Sequence, residues 1–433
     1  MVCPASSVVL PRRTKQTSQQ MLNAQPVRGL KHLQRVLALF DRLHACGTQR
    51  DKAHNRTLFF DQYAALVLLH CFSPAMMTLR SIQEASELES VKRMLGTTRS
   101  FSRSALSEAP KVFDPELLQE VIAELGKELV PLGKDPRLSE VKQTITLVDG
   151  TLLKALPRLA ESFWMRDCSG QAHHGWRMHT QFELDRHAAV DLHLTDYRND
   201  TPQSNETDVL AARLEKGRCY VIDRGYFKYE LFDAIVDIGS DYVCRVKKNI
   251  VQRLIEVRTD QLSCEAKEAG VVRDVVVDAG ALYCKNSNHP IRLITVEAEV
   301  AQRGNSKLPP LKEQLLIATN RMDVPAEIIA LLYRYRWTIE LFFRFFKQLL
   351  GCRHLISDDP RGIAIQCYCA VIACMLLTLY SGKKPNIGTW RMVNWYISGW
   401  ATEAELLTHL TKPPPNTGIR QRQKDELWKK LGY

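Results

Sequence analysis

The spacing of apolar positions changes character near residue 141. Before that point it is helical: Leu30, Leu33, Leu37 and Phe40 recur at helix period, with Gly47 placed to end the element. An apolar run from about Phe59 to Phe72 stops before Pro74. A third helix is predicted over Thr78 to Leu95, and Asp114 with Pro115 caps a fourth that ends near Gly126. Residues 29–140 therefore read as an all-helical domain, preceded by a disordered basic leader over 1–28. The RSFSR segment, Arg99 to Arg103, lies between two of the helices, where a basic turn fits either an ordinary loop or the entry to a DNA-reading helix.

From Val141 the apolar runs become short and β-branched. TITLVDGT, residues 144–151, predicts a strand ending on Asp149, with Gly150 allowing a sharp turn. Residues 181–196 predict two alternating strands joined at Arg186 and His187. A helix follows over Thr207 to Leu214, then the buried strand CYVID ending on Asp223, a helix over Tyr229 to Ile238, and a strand over 241–249. This order is that of a mixed sheet with helices packed on it, an α/β (α+β) class. Between Asn249 and a strand over 314–320 lies a β-rich segment, 251–311, with Tyr283 as its aromatic residue.

The stretch Tyr333 to Lys347, YRYRWTIELFFRFFK, predicts an amphipathic helix. At about 100° per residue, Tyr333, Arg336, Glu340 and Lys347 share an arc of roughly 60°, while Phe342, Phe343, Phe345, Phe346, Leu349 and Leu350 cover the opposite side. Taken alone, the polar arc fits a solvated stripe with an Arg336–Glu340 pair as well as it fits a site. Trp337 lies beside the stripe, outside the aromatic face.

Asp149 and Asp223 occupy equivalent places, each at the end of a buried strand and followed within two residues by glycine. Each alone is an ordinary turn former. If the two strands are neighbours and the Tyr333 helix packs on their sheet, Glu340 joins them. Carboxylates about 4 Å apart repel by roughly 4 kcal/mol per pair at an effective dielectric of 20, so the cluster needs protons or cations. Oxygen ligands without a histidine or cysteine pattern point to Mg²⁺ or Mn²⁺, and a pair of ions is the arrangement that suits phosphodiester cleavage.

Composition narrows the partner. Lys plus Arg outnumber Asp plus Glu by 59 to 48, for a formal charge of +11, which suits a polyanion. The 12 cysteines contain no CxxC pair, so neither a disulfide framework nor a zinc module is indicated and a reducing cytoplasm is expected. Residues 363–380 are apolar enough to span a membrane. Gln366 within them and the absence of a second such run favour a buried core helix, so no membrane association is expected. Residues 383–433 form a helical C-terminal segment with Trp390, Trp395 and Trp400, then prolines at 413–415 and a basic end.

The residues Tyr333, Arg336, Glu340 and Lys347 form a Y-x2-R-x3-E-x6-K pattern, and DGT at Asp149 and DRGY at Asp223 precede it in order. In these motifs, over roughly residues 60–380, the chain resembles DDE transposases of the bacterial insertion-sequence type. The resemblance implies an RNase H-like catalytic core over 141–250 and 312–382, interrupted by the 251–311 insertion, with the apolar helix at 363–380 covering its sheet. It implies a triad of Asp149, Asp223 and Glu340 holding two Mg²⁺ ions, with Mn²⁺ able to substitute. Tyr333, Arg336 and Lys347 would contact DNA phosphates. Trp337 would stack on a base or simply pack.

The activity implied is cleavage and transfer of double-stranded DNA at terminal inverted repeats, cut-and-paste, with or without the hairpin intermediate common in the family, by a homodimer in a synaptic complex that includes target DNA. The setting is the bacterial cytoplasm, at the nucleoid. The alternative is an inactive or domesticated DNA-binding protein of the same fold. All three carboxylates and their basic partners are present, which favours activity.

Overall fold

A computed structural model describes residues 34–44, 46, 56–73, 75–155, 164–166, 172–196, 204–247, 250, 252–280, 286–300, 311–350, 356–357 and 359–412. The leader, Tyr283 and the proline-rich and basic end beyond 412 lie outside them. In chain order the helices are α1 (Gln34–Phe40), α2 (Phe60–Phe72), α3 (Leu79–Ser86), α4 (Glu89–Met94), α5 (Arg103–Val112) and α6 (Leu117–Glu128). They continue with α7 (Glu206–Ala211), α8 (Tyr229–Asp237), α9 (Cys264–Glu268), α10 (Ala326–Tyr335), α11 (Trp337–Leu350), α12 (Pro360–Ser381), α13 (Ile387–Ile397) and α14 (Glu403–Thr411). The strands are β1 (Thr144–Ala155), β2 (Trp164–Arg166), β3 (Ala172–Glu183), β4 (Ala188–Asp196), β5 (Arg218–Ile222), β6 (Asp241–Val246), β7 (Gln252–Val257), β8 (Val271–Ala279), β9 (Ile291–Val300) and β10 (Leu311–Thr319). The chain divides into two compact units, one within Met1–Leu125, Phe346–Ser381 and Pro385–Leu410, the other chiefly Gly126–Phe345.

The first unit is helical. α2 is buried along its whole length and α12 along nearly all of it, because both are predominantly apolar all round and such helices are stable only when surrounded; the polar Asp61, Gln62 and His70 of α2 are hydrogen-bonded. α12 has the length and composition of a membrane span, yet 94% of its most apolar window is buried inside the protein. Its packing partners are α2, α5 and α13, helices of its own unit, where the sequence resemblance predicts a helix covering the sheet. Gln366 is accommodated by accepting a hydrogen bond from the amide of Ile356, 3.1 Å, so the polar group in this apolar helix is not orphaned. The single helix expected over Thr78 to Leu95 is two. The amides of Glu87 and Leu88 turn back to Glu84 and Ala85, and the hydroxyl of Ser86 accepts from the amide of Phe101, a contact that spacing does not reveal.

The second unit is built on one mixed sheet of ten strands among the described residues, in the order β2-β3-β1-β5-β6-β10-β9-β8-β7, with β4 on β3. β1 pairs antiparallel with β3 and parallel with β5, and β5 pairs parallel with β6. β5 is buried from Cys219 to Ile222, as a central strand between parallel neighbours must be. The turn at Arg186 and His187 joins β3 to β4, with His187 in the left-handed region at φ 50°. The β-rich segment supplies β7, β8 and β9, which continue the same sheet through β10. Phe232 of α8 stacks on Tyr242 of β6 at 4.0 Å between ring centres, within a core that also holds Val148, Ile222 and Tyr226.

Candidate active site

The parallel register of β1 and β5 runs from Thr144 opposite Arg218 to Leu147 opposite Val221. Two residues further on, the strands bring Asp149 and Asp223 to the same level of the sheet. There they part: β5 enters a 3₁₀ turn, Arg224–Tyr226, while β1 stays paired with β3 as far as Ala155. The expected strand end at Asp149 is thus a fork. β1 is prolonged because its antiparallel partner β3 is 12 residues long and holds it, with Asp149 opposite Thr180.

The helix expected over Tyr333 to Lys347 is tightened at Arg336, where α10 gives way to α11. The amide of Arg336 bonds to the carbonyl of Tyr333 and the amide of Ile339 to that of Arg336, both i to i−3, although Arg336 keeps helical angles of φ −50° and ψ −36°. Ile339, Phe342, Phe343, Phe345, Phe346 and Leu349 are buried, as the aromatic face predicts. Phe342 lies 5.1 Å from the ring of Phe182 on β3, which anchors α11 to the sheet.

This packing brings the carboxylates together around one cation. Arg336, only 7% exposed, donates from Nη2 to Glu340 Oε1 at 2.7 Å and from Nη1 to Asp149 Oδ2 at 3.4 Å. The hydroxyl of Tyr333 donates to Asp223 Oδ1 at 3.0 Å, and the amide of Gly150 donates to Asp149 Oδ1 at 2.8 Å. Of the signature residues, Tyr333 and Arg336 face the carboxylates, and the Arg336–Glu340 pair coexists with the cluster. Trp337 is half-buried. Lys347, partly buried, is two turns, about 10 Å, beyond Glu340 along α11.

The two aspartates titrate in opposite directions. Burial pushes Asp149 up to about 6, with Arg336 and the Gly150 amide opposing and Glu340 and Asp223 adding to the rise. Burial also opposes ionisation of Asp223, but Arg336, the amide of Arg224, Tyr333 and Arg245 together outweigh it and hold this carboxyl below the ordinary range. Glu340 is raised, by burial first, against the pull of Arg336. Among the described residues no three His, Cys, Asp or Glu side chains stand close enough to form a ready metal cage. The donor chemistry nevertheless fits a hard divalent ion: three carboxylates, oxygen only, whose mutual repulsion is met in this structure by the Arg336 guanidinium.

A carboxylate that no motif marks also lies here. Glu206, in the first turn of α7, is paired with Arg177 of β3 and occupies the space where a side chain at Gly150 would lie, with Gly225 nearby. An acid in the first turn of a helix is so common that its sequence carries no signal of this.

The family model described as Transposase DDE domain matches residues 140–376, over half of the 433 residues. The chain belongs to that family. Among relatives of this DDE-domain chain, a Sinorhizobium fredii protein named transposase y4zB is 28% identical over 215 residues, 47% of this chain and 53% of its own. The transposase for insertion sequence element IS5377 of Geobacillus stearothermophilus is 28% identical over 167 residues, 38% of this chain and 40% of its own. That for element IS4SA of Synechocystis is 24% identical over 277 residues, 64% and 71%. The chain thus spans about half the length of the first two relatives. Among solved structures it is similar to a piggyBac transposase in a synaptic complex with hairpin DNA, with TM-score 0.44 and 11% identity, covering 96% of this chain and 87% of that one.

Proposed function

We propose that this DDE-family chain is a DNA transposase that cleaves and transfers strands at the terminal inverted repeats of an insertion sequence, with Asp149, Asp223 and Glu340 as its catalytic carboxylates. The observation that carries this reading is the buried guanidinium of Arg336 beside the fork of the sheet, paired with Asp149 and Glu340 and favouring the charge of Asp223. The strand order β4-β3-β1-β5-β6, two antiparallel pairings followed by two parallel ones, supports an RNase H-like core.

Asp149, Asp223 and Glu340 would hold Mg²⁺ or Mn²⁺, as two ions. When bound, these supply activation of the attacking water or hydroxyl and stabilisation of the leaving oxygen. The protein's own groups prepare the site. The Gly150 amide and the Tyr333 hydroxyl each fix one oxygen of an aspartate, and the second oxygen of Asp149 faces Arg336, which an incoming cation would replace as its partner. Arg336 keeps positive charge beside them, where it also faces a DNA phosphate drawn into the site, with Tyr333 and Lys347 as further phosphate partners. Trp337, half-buried next to Arg336, would stack on a base.

Recognition of the terminal repeats belongs to the N-terminal helices, because a carboxylate site reads no sequence. The protein works as a homodimer on double-stranded end and target DNA in the cytoplasm, by cut-and-paste through a hairpin. The test is cleavage of a duplex carrying the element's own end in Mg²⁺, by the wild-type chain and by D149N and D223N. Wild-type nicking and hairpin product on a denaturing gel, absent from both variants, supports the reading. Equal cleavage by the variants refutes it.

A further inference from the structure

The space behind Asp149 is taken up by Glu206, with Arg177 beside it. Neighbouring residues of a strand point to opposite faces, so Gly150 turns away from the side on which Asp149 meets Arg336. On that rear side, a Cβ built on Gly150 would come 2.6 Å from Oε1 of Glu206, closer than real Cβ atoms approach, and a Cβ on Gly225 would come 3.6 Å from Oε2. One oxygen of the Glu206 carboxylate therefore lies against Gly150, which follows Asp149, and the other faces Gly225, beyond Asp223, at a distance that leaves room for a methyl. Gly150 is not in the left-handed region, so what calls for glycine here is room for Glu206.

Glu206 is itself held. Its ion-pair partner Arg177 lies on β3, opposite Leu152 and two residues from His179, which faces Gly150 across the ladder. Both side chains of the pair are largely buried, 16% and 19% exposed, where a single planar guanidinium can fix a carboxylate's orientation. A second buried polar group lies within the electrostatic reach of Glu206. The hydroxyl of Tyr226, at the end of the turn that follows Asp223, is buried without a hydrogen-bond partner among the described residues. Burial above all, with Glu206 and Asp149 adding their charge, holds this phenol protonated.

We propose that Glu206 is a positioning residue of the site: clamped by Arg177, its carboxylate sets the backbone at Gly150 and Gly225 and thereby the placing of Asp149 and Asp223. This rests on the transposase reading of those aspartates. Glu206 touches neither DNA nor the reacting atoms in this role. It acts through the peptide segments that carry them, as outer partners of metal ligands do.

The experiment compares E206Q, E206D, G150A, G150A/E206D and D149N in the full chain. It measures melting temperature against Mn²⁺ concentration without DNA, single-turnover cleavage of an end duplex, and affinity for that duplex in EDTA. For E206Q the expected result is a rise of about 10-fold or more in the Mn²⁺ concentration at half-maximal stabilisation and a cleavage rate lower by about 10- to 100-fold, with DNA affinity unchanged. G150A should show the same pattern, and G150A/E206D should recover part of both losses, because the shorter acid makes room for the new methyl. A folded E206Q with wild-type Mn²⁺ midpoint and rate overturns the proposal. So does a loss confined to metal-free melting temperature or to DNA affinity, or a G150A defect that E206D does not relieve. Should E206Q fail to fold, the G150A pair decides alone. D149N separates the two layers: if it cleaves, the transposase site is misassigned, and if it is inactive while E206Q is normal, only the positioning role falls.

Discussion

Asp149 and Asp223 stand at the same level on neighbouring strands, yet their surroundings drive them apart. Asp149 is pushed up to about 6 because burial dominates and Glu340 and Asp223 add negative charge, with Arg336 and the Gly150 amide too weak to compensate. Asp223 is less deeply buried and collects a hydroxyl, the Arg224 amide and two guanidinium neighbours, and is held low. The difference teaches that the fork is not symmetrical. One carboxylate is held ionised well into acid, and the other takes a proton as pH falls through about 6.

The largest test of this asymmetry is chemical. D149N and D223N should each lower cleavage by several orders of magnitude, since each removes an anionic ligand, and E340Q should do the same. An end-cleavage assay in which one of the aspartates proved dispensable would break the pairing of the two strand ends. Next in size is Arg336. Replacing it by Met leaves three carboxylates without their shared cation. The metal-free protein should lose about 2 kcal/mol, less than a fully buried pair would because Asp149 and Glu340 remain partly solvated. Denaturant unfolding in EDTA measures this, and added Mn²⁺ should restore part of the loss.

The pH dependence separates the two aspartates directly. Asp149 has a folded value raised above its unfolded one, so its contribution to stability is present below about pH 4 and lost as pH rises through 6, on the order of 3 kcal/mol. Asp223 has the opposite sign: its contribution is present above pH 4 and lost on acidification. In EDTA at pH 8, D149N should therefore melt above the wild type and D223N below it, by a few degrees at most. Melting curves that move the same way in both variants would show that the surroundings do not differ as described. The smallest effect is expected at Lys347. K347A should weaken DNA binding across sequences and reduce the salt slope by about one, measured by binding titrations at several salt concentrations.

Much of this arrangement was legible in the chain. β5 and β6 follow from their buried β-branched runs, and the aromatic face of Phe342 to Leu349 follows from helical spacing. The motifs placed Asp149, Asp223 and Glu340 in order. Three features were hidden, each for a physical reason. β1 outlasts Asp149 because β3, distant in sequence, continues beside it. The tightening at Arg336 leaves the backbone angles helical and alters only which carbonyl each amide reaches, so no residue type announces it. The apolar run 363–380 announces burial but not its neighbours, which turn out to be helices of the N-terminal unit. Periodicity reports which face of an element is covered. What covers it depends on contacts that only the folded chain supplies.

The account's central claim is that Asp149, Asp223 and Glu340 act as one site, and Glu340 tests it most directly because it comes from a helix rather than a strand end. The measurement is E340Q beside the wild type: melting temperature in EDTA and in Mg²⁺, and cleavage of the end duplex. With one negative charge removed from a repelling cluster, the metal-free variant should melt at or above the wild type, while Mg²⁺ stabilises it less. Cleavage should fall by several orders of magnitude. A variant that gains as much stability from Mg²⁺ as the wild type and cleaves at a comparable rate would contradict the claim, leaving Glu340 as no more than the partner of Arg336.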